Sequence, residues 1–449
     1  MFNKVVVANR GAVAARVLRA LNEMGVHSVA VYSEADAGAP YLEMAGETHA
    51  IGPAPARESY LNMDALMAVV RQSRADGLHP GYGFLSENAA FAQKVTDAGA
   101  RFIGPSPRWI GLMGHKTRAR ELAAQHGMPM SKGSGVLPAD RDAILSAARA
   151  IGFPVLVKPA GGGGGIGMLP AKDEAELVAA VERSRSMAER GFGNAEVYLE
   201  RLIGRPRHVE FQVLGDAHGS AAHLYERDCS TQRRNQKVIE EAPAPGIPRE
   251  RAAAVADQVA GIMRKLGYDN IGTVEMLMGE DGSFSFLEMN TRLQVEHGVT
   301  EEVTGVDLVK AQIRSAFGEK LSAILPEKIE VGGHAIQARV YAEDPKNFFP
   351  SPGNLRVFRP PRDNSVRVET GYAEGRDVTP HYDPMIAKVI VRADTRERAI
   401  DRLIEALAAF DIQGIKHNIP AVLAVLRSEA FRAGRVHTGL IPEVLKPGK

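Results

Sequence analysis

Apolar residues enter this chain in short runs that alternate with helix-spaced patterns. Lys4–Ala8 (KVVVA) reads as a buried strand, Val13, Val17, Leu18, Leu21 and Met24 recur at helical spacing, and Val26–Tyr32 returns to strand. This is a βαβ opening. Further helices near Leu61–Gln72 and Ala89–Ala98 and the strand-like ARFIG carry a doubly wound unit to about Pro107, after which Trp109–Gly127 predicts a helical connection. The first strand-to-helix turn, ANRGA, lacks the G-x-G-x-x-G that lets a backbone approach a dinucleotide pyrophosphate. A bound NAD is not expected.

From Met128 to about Gly204 lies a smaller unit around PVLVKPAGGGGGIGMLPA, which predicts a hairpin with a glycine tip. From Arg205 the pattern turns strand-rich: HVEFQVLG, then TVEMLMGEDGSFSFLEMN, where Asp281-Gly282 marks a hairpin turn. After Val331 come HAIQARVYA, NLRVFRP and MIAKVIV. A helix follows, with Asp394 and Glu397 in capping-box spacing and Ala399, Ile400, Leu403, Ile404 and Leu407 as its buried stripe. The expected class is a multidomain α/β and α+β chain. Its units are 1–113 (doubly wound), 114–204 (linker helices and glycine-rich lid), 205–330 (main sheet) and 331–449 (C-terminal α+β). Neither repeats nor low-complexity linkers separate them, so close packing is expected.

Composition narrows the function classes. A chain of 449 residues with 45% hydrophobic and 24% charged residues is globular and needs more than one core. A formal net charge of +1 leaves no basic excess for nucleic acid or anionic lipid. The lone Cys229 cannot close an internal disulfide, and no apolar run approaches the roughly 18 residues of a membrane span. Met1 passes directly into KVVVA without a signal core. A cytoplasmic protein with no nucleic-acid or membrane partner is expected.

The chemistry concentrates in Glu288–Glu296. In an extended chain, Glu288, Asn290, Arg292, Gln294 and Glu296 share one face, and Met289, Thr291, Leu293 and Val295 the other. Such a polar row is costly to desolvate unless it serves ligands. Glu275 can face Glu288 across the hairpin, and paired carboxylates suit a hard cation shared with phosphates. Glu275, Glu288 and Asn290 are therefore candidate Mg²⁺ ligands, with Mn²⁺ able to substitute. The bland alternative is a solvated amphipathic strand laced by ion pairs. The glycine run after Lys158 could be a linker. Lys158 ending the preceding strand, and a tip without Cβ atoms, favour a phosphate clamp that is not a Walker A loop. His208, Glu210 and Gln212 alternate against Val209, Phe211 and Val213, although His208 alone reads equally well as structural. RDCSTQRRNQKV, with Arg227, Asp228, Arg233, Arg234 and Lys237, has the composition of a solvated loop, and Lys116 could be an ordinary surface lysine.

Taken together, HPGYGFLSEN, RDCSTQRRNQK, APAPG and EMNTRLQVEHGVTE resemble the biotin carboxylases, an ATP-grasp family, over nearly the whole chain. The resemblance implies ATP contacts from Lys116, Lys158, Gly164, Gly165, His208, Gln232, Asn235, Glu275, Leu277 and Glu288, with Glu200, Arg201, Leu202 and Ile203 near the adenine. It implies that Lys237, Arg292, Gln294 and Val295 hold bicarbonate, that Glu296 removes its proton, and that Tyr82, Gly83 and Arg339 face biotin. Lys237, Arg292, Glu296 and Arg339 are then the catalytic set. The implied role is the biotin carboxylase subunit of an acetyl-CoA carboxylase-like or related biotin-dependent carboxylase, of the kind that serves fatty acid biosynthesis. No Met-Lys-Met biotinyl site or carboxyltransferase segment is found, so a separate biotin carboxyl carrier protein and carboxyltransferase subunits are expected. A homodimer is expected as well, with Arg16 and Arg19 of the first helix matching interface positions.

The chain departs from the family pattern at Ile166, where many members carry an arginine in the lid, and at Asn235, where many carry histidine. It also has Arg201 for a lysine and Gly298 for a proline. Two other readings stay open: an ATP-grasp ligase acting on another small acceptor, or a catalytically silent paralogue that binds nucleotide and carrier.

Overall fold

A computed structural model describes residues 1–161 and 166–446. Strands β1 (Lys4–Val7), β2 (His27–Tyr32), β3 (Glu47–Ala50), β4 (Gly77–His79) and β5 (Arg101–Phe102) form a parallel sheet in the order β3-β2-β1-β4-β5. Helices α1 (Gly11–Glu23), α2 (Met63–Ser73) and α3 (Ala89–Asp97) provide its crossovers. Val5, Val6 and Val7 are fully buried, as a parallel strand covered on both faces requires. Strand order reverses between β1 and β4, and the loops leaving both strands open at that point, the usual ligand position in such sheets. Helices α4 (Pro107–Met113) and α5 (Lys116–Gln125) lead onward.

The small unit is an antiparallel sheet of β6 (Gly133–Val136), β7 (Val155–Pro159), β8 (Leu169–Ala171) and β9 (Val197–Arg201), in the order β6-β9-β7-β8. It is backed by α6 (Arg141–Ile151) and α7 (Glu174–Phe192). Its core draws only on residues between Leu137 and Leu199, so it packs as a body of its own. The β7–β8 hairpin matches the sequence pattern. Its tip, with the predicted Gly164 and Gly165, lies outside the described residues.

The main sheet has eight antiparallel strands in the order β14-β13-β10-β11-β12-β15-β20-β18. They are β10 (Arg207–Gly215), β11 (Ala221–Arg233), β12 (Gln236–Ala242), β13 (Ile271–Met278), β14 (Phe284–Asn290), β15 (His334–Tyr341), β18 (Val366–Thr370) and β20 (Met385–Ala393). Two short pairs, β16 (Gly353–Asn354) with β19 (Asp377–Val378) and β17 (Val357–Arg359) with β21 (Asp411–Gln413), flank it. The sheet runs without a break across residue 331, where the sequence pattern opens a new unit, because β12 pairs with β15. Helices α8 (Arg249–Leu266), α9 (His297–Thr304), α10 (Leu308–Phe317), α11 (Leu321–Ile324) and α12 (Arg396–Ala408) cover it. One core cluster joins Val5, Val7 and Leu18 to Leu214, Ile271 and Leu293, so the N-terminal sheet and the main sheet share buried surface.

Two expectations need correction. Glu288–Glu296 is not one strand: β14 ends at Asn290, and an irregular turn leads into α9. The α12 cap is Thr395, whose side chain accepts the Arg398 amide, rather than Asp394, which lies one residue too early. Arg16 of α1 is buried within the chain and donates to Glu301 at 3.0 Å and Asp307 at 2.6 Å.

Candidate active site

A cavity of about 800 Å³ lies where the three sheets meet. Every described residue singled out above for nucleotide, bicarbonate or biotin lines it, from Lys116 and Lys158 through Glu200, Arg201, Leu202 and Ile203 to Tyr82, Gly83 and Arg339. Glu296 sits behind the wall, fully buried, in contact with Lys237.

The floor follows from strand register. Glu288, Glu275 and Glu210 are successive partners on β14, β13 and β10, and Arg227 continues the row on β11. Three carboxylates side by side would repel. Arg227, wholly enclosed, relieves this at one end with 2.6 Å to Glu210 and further bonds to Gln212 and Thr300. Lys237 relieves it from β12, its ammonium 2.5 Å from Glu210, 2.7 Å from Glu275 and 2.7 Å from Glu296. RDCSTQRRNQK is thus not a solvated loop: Arg227, Asp228 and Arg233 are buried on β11, and only Arg234–Gln236 are exposed.

This geometry sets the charge states. Burial pushes the Glu296 carboxyl upward, but Lys237, Arg339 and Arg227 outweigh it and hold the group well below the usual carboxylate range. Burial likewise opposes the charge on Glu275, and Lys237 and His208 override it. Burial disfavours the Lys237 ammonium, yet its three carboxylates raise its pKa well above that of a free lysine. Buried Glu240, although paired with Arg339, is pushed upward by its enclosure and by Glu296.

Beyond β14 the polar side chains still converge. Arg292 donates to Asn290 at 3.0 Å and to Gln294 at 2.9 Å, and Glu87 accepts its Nε at 2.8 Å. The Ser-Glu-Asn end of HPGYGFLSEN therefore orients the guanidinium. Arg339 spans Glu240 and Glu296, the latter at 3.0 Å. Gln232 donates to His208 Nδ1 at 2.8 Å, which leaves the other ring nitrogen toward Glu275 at 3.0 Å.

At the lid end, Lys158 is buried 3.0 Å from Glu200, and Lys116 stands 3.0 Å from Glu288. Leu156, Met168, Ile203, Leu277 and Leu287 form an apolar slot beside them. A planar base fits that slot, and two lysines beside a carboxylate row fit phosphates carrying a hard cation. Glu275 and Glu288 are direct cross-strand partners with Asn290 two residues along, so oxygen donors for Mg²⁺ converge on one face. At the opposite end, the Tyr82 hydroxyl is buried and, among the described residues, has no hydrogen-bond partner.

Sequence reasoning missed part of this end. Asn9–Val13 of ANRGA line the cavity, and Asn9 Nδ2 donates to the carbonyls of Pro80 and Tyr82 at 2.7 and 2.8 Å. ANRGA carries no dinucleotide fingerprint, but the strand-order reversal brings this turn to the cavity. Tyr341, Tyr382, Asp383 and Met385 also line the cavity, and only the Asp-Pro-Met sequence before a strand hinted at them.

Comparison with known proteins agrees with this geometry. Residues 1–110 match the biotin carboxylase N-terminal domain, 115–324 the ATP-binding domain of the carbamoyl-phosphate synthase L chain, and 337–443 the biotin carboxylase C-terminal domain. The biotin carboxylase of Halalkalibacterium halodurans is 45% identical over 99% of this chain and 98% of its own length. That of Pseudomonas aeruginosa is 47% identical over 97% of each. Among solved structures, the biotin carboxylase domain dimer of Hydrogenobacter thermophilus 2-oxoglutarate carboxylase, in complex with MgADP, ADP and bicarbonate, superposes with a TM-score of 0.95. It is 42% identical, with all of both chains covered. Among the described residues no helix is long and apolar enough to cross a membrane. With three matched domains in order and full-length identity to named members, this chain belongs to the biotin carboxylase family.

Proposed function

We propose that this chain cleaves ATP against bicarbonate and places the carboxyl group on N1 of biotin carried by a separate protein, the first half-reaction of a biotin-dependent carboxylase. The observation that carries the reading is the Lys237 ammonium among Glu210, Glu275 and Glu296, in one cavity that is also lined by Lys116, Lys158, Glu288 and the Tyr82–Gly83 loop.

The adenine lies in the apolar slot by Glu200–Ile203, and Lys116 and Lys158 meet the phosphates. Glu275, Glu288 and Asn290 would hold Mg²⁺, which when bound supplies charge neutralisation at the phosphates. Lys237, Arg292, Gln294 and Val295 hold bicarbonate, a poor nucleophile until deprotonated. Glu296, kept ionised by Lys237 and Arg339, accepts its proton. The bicarbonate oxygen displaces ADP from the γ-phosphorus and gives carboxyphosphate, which breaks down to CO₂ and phosphate. Phosphate takes the N1 proton of biotin, Arg339 stabilises the enolate-like ureido oxygen, and N1 attacks CO₂. Closure of the lid excludes water from carboxyphosphate.

A carboxyl carrier protein and a carboxyltransferase are the expected partners, and a homodimer, as in the Hydrogenobacter structure, is the expected assembly. The transferase selects the final acceptor. The test is ADP release with Mg-ATP and bicarbonate, with and without biotin, together with trapping of labelled carboxybiotin. Biotin-stimulated ADP release with trapped carboxybiotin is expected. ATP binding without carboxybiotin, even with biotinylated carrier supplied, would reject the reading.

A further inference from the structure

The assigned chemistry leaves unused a buried ion pair that touches the site. Lys388 on β20 stands in register between Arg339 on β15 and Glu369 on β18, and cross-strand partners share a face. Its ammonium has no solvent exposure. It donates to the Val295 carbonyl at 2.9 Å, pairs with Glu369 at 2.5 Å and lies 5.9 Å from the centre of the Tyr82 ring. Glu369 is held in turn by Arg367 and by Arg16, whose Nε is 3.7 Å away.

A cation in this position is costly to desolvate, and its strand neighbours Ile386, Ala387, Val389 and Ile390 show that apolar side chains fill β20 well. What the cation holds is the turn after β14. Residues 291–296 belong to no strand, so ladder hydrogen bonds do not fix their backbone. Four side chains do so instead: Glu87 accepts the Thr291 amide at 3.1 Å, Arg292 donates to the Leu293 carbonyl at 3.2 Å, His297 Nδ1 bonds to the Gln294 carbonyl at 2.7 Å, and Lys388 alone reaches the next carbonyl, Val295. The side chains carried by this turn are those assigned to bicarbonate and its proton.

We propose that Lys388, set by Glu369, is a positioning residue for bicarbonate activation, its bond to the Val295 carbonyl aligning Gln294, Val295 and Glu296 against the substrate. The inference rests on the reading of the site as a biotin carboxylase. Since Lys116, Lys158 and the adenine slot lie on other elements, loss of the anchor weakens the bicarbonate step and leaves nucleotide binding intact.

The test uses the full chain with Lys388→Met, which removes the donor, and Lys388→Gln, which keeps an N–H donor. ADP release is measured against bicarbonate and against ATP, and ADP affinity by calorimetry. Lys388→Met is expected to lower kcat/KM for bicarbonate by roughly 10- to 100-fold, as sub-ångström misplacement of reacting groups does, with ADP affinity within about twofold of wild type. Lys388→Gln should recover part of the loss. A folded Lys388→Met protein with wild-type kcat/KM for bicarbonate overturns the proposal. So does a loss shared equally by nucleotide and bicarbonate, the mark of general disorder. Should Lys388→Met not fold, Lys388→Gln and Glu369→Gln are judged by the same split. Wild-type protein without bicarbonate-dependent ATP cleavage would instead reject the biotin carboxylase reading itself.

Discussion

Glu296 is the residue whose environment most constrains its role. Enclosure alone would favour its protonated form, yet Lys237 and Arg339 at 2.7 and 3.0 Å hold it ionised. Its titration therefore lies below the neutral range, and the acid limb of a pH–rate profile must report another group. Glu296→Gln keeps the shape and removes the base. Turnover is expected to fall about 10²- to 10⁴-fold with ADP affinity preserved, and near-wild-type turnover would remove Glu296 from the mechanism. Asn235 is a different case. Arg234 and Asn235 have φ of 49° and 65°, a two-residue turn of the type that joins hairpin strands, and asparagine suits the left-handed conformation. The residue that gives up the family's imidazole thus gains a well-set turn. Asn235→His is expected to lower KM for ATP about 2- to 10-fold, the worth of one hydrogen bond, at a small cost in Tm. An unchanged or raised KM would show that position 235 does not reach the nucleotide.

At the scale of elements, periodicity located most strands and helices because each buries one face of its own local pattern. The β13–β14 hairpin could be placed from Asp281-Gly282, and with it the pairing of Glu275 and Glu288. Local pattern failed where partners come from elsewhere. Arg227, Asp228 and Arg233 look solvated in sequence, since nothing nearby neutralises them. Their partners Glu210, Arg207 and Glu343 arrive from other strands or distant loops. Lys388 stood inside an apolar run, and a charge in the middle of a buried strand was the one available hint. Nothing near Arg16 in sequence marks it as buried, because its partners Glu301 and Asp307 belong to a later part of the chain. Arg227 gives this point a test. Arg227→Met leaves Glu210 buried with Lys237 alone and orphans Gln212 and Thr300, so a loss of about 3–5 kcal/mol is expected in urea melts. A loss below about 1 kcal/mol would mean that the enclosed pair is replaceable by packing.

The whole molecule inherits its pH response from two sets of enclosed groups. His79 is fully buried, accepts the Gly81 amide on Nδ1 at 3.0 Å, and burial brings its pKa down to about 3. His297 is also held well below the ordinary range, by burial first and by Lys388 second. Below about pH 6.5 the unfolded chain protonates these rings and the folded one does not, so stability falls as pH drops through that value. Glu275, Glu296 and Glu369 have folded pKa values depressed by their cations against the effect of burial. Their stabilisation is present above the ordinary carboxylate range, near pH 4, and is lost as pH falls through and below it. Glu240, raised by burial, works the other way and regains stability as it protonates, but it is outnumbered. Thermal melts between pH 8 and pH 3.5 should therefore show two stages, a first decline beginning near 6.5 and a steeper one near 4. Each titrating group can add up to about 1.4 kcal/mol per pH unit. Histidine alone accounts for the first stage and goes on contributing beneath the carboxylate stage until the folded His79 ring protonates near pH 3. His79→Gln, whatever it does to Tm at pH 8, should thus make the change in Tm between pH 7 and pH 5 shallower and leave the lower stage in place. An unaltered slope in that variant would mean that the folded protein already admits a proton at His79, which its bond from Gly81 forbids.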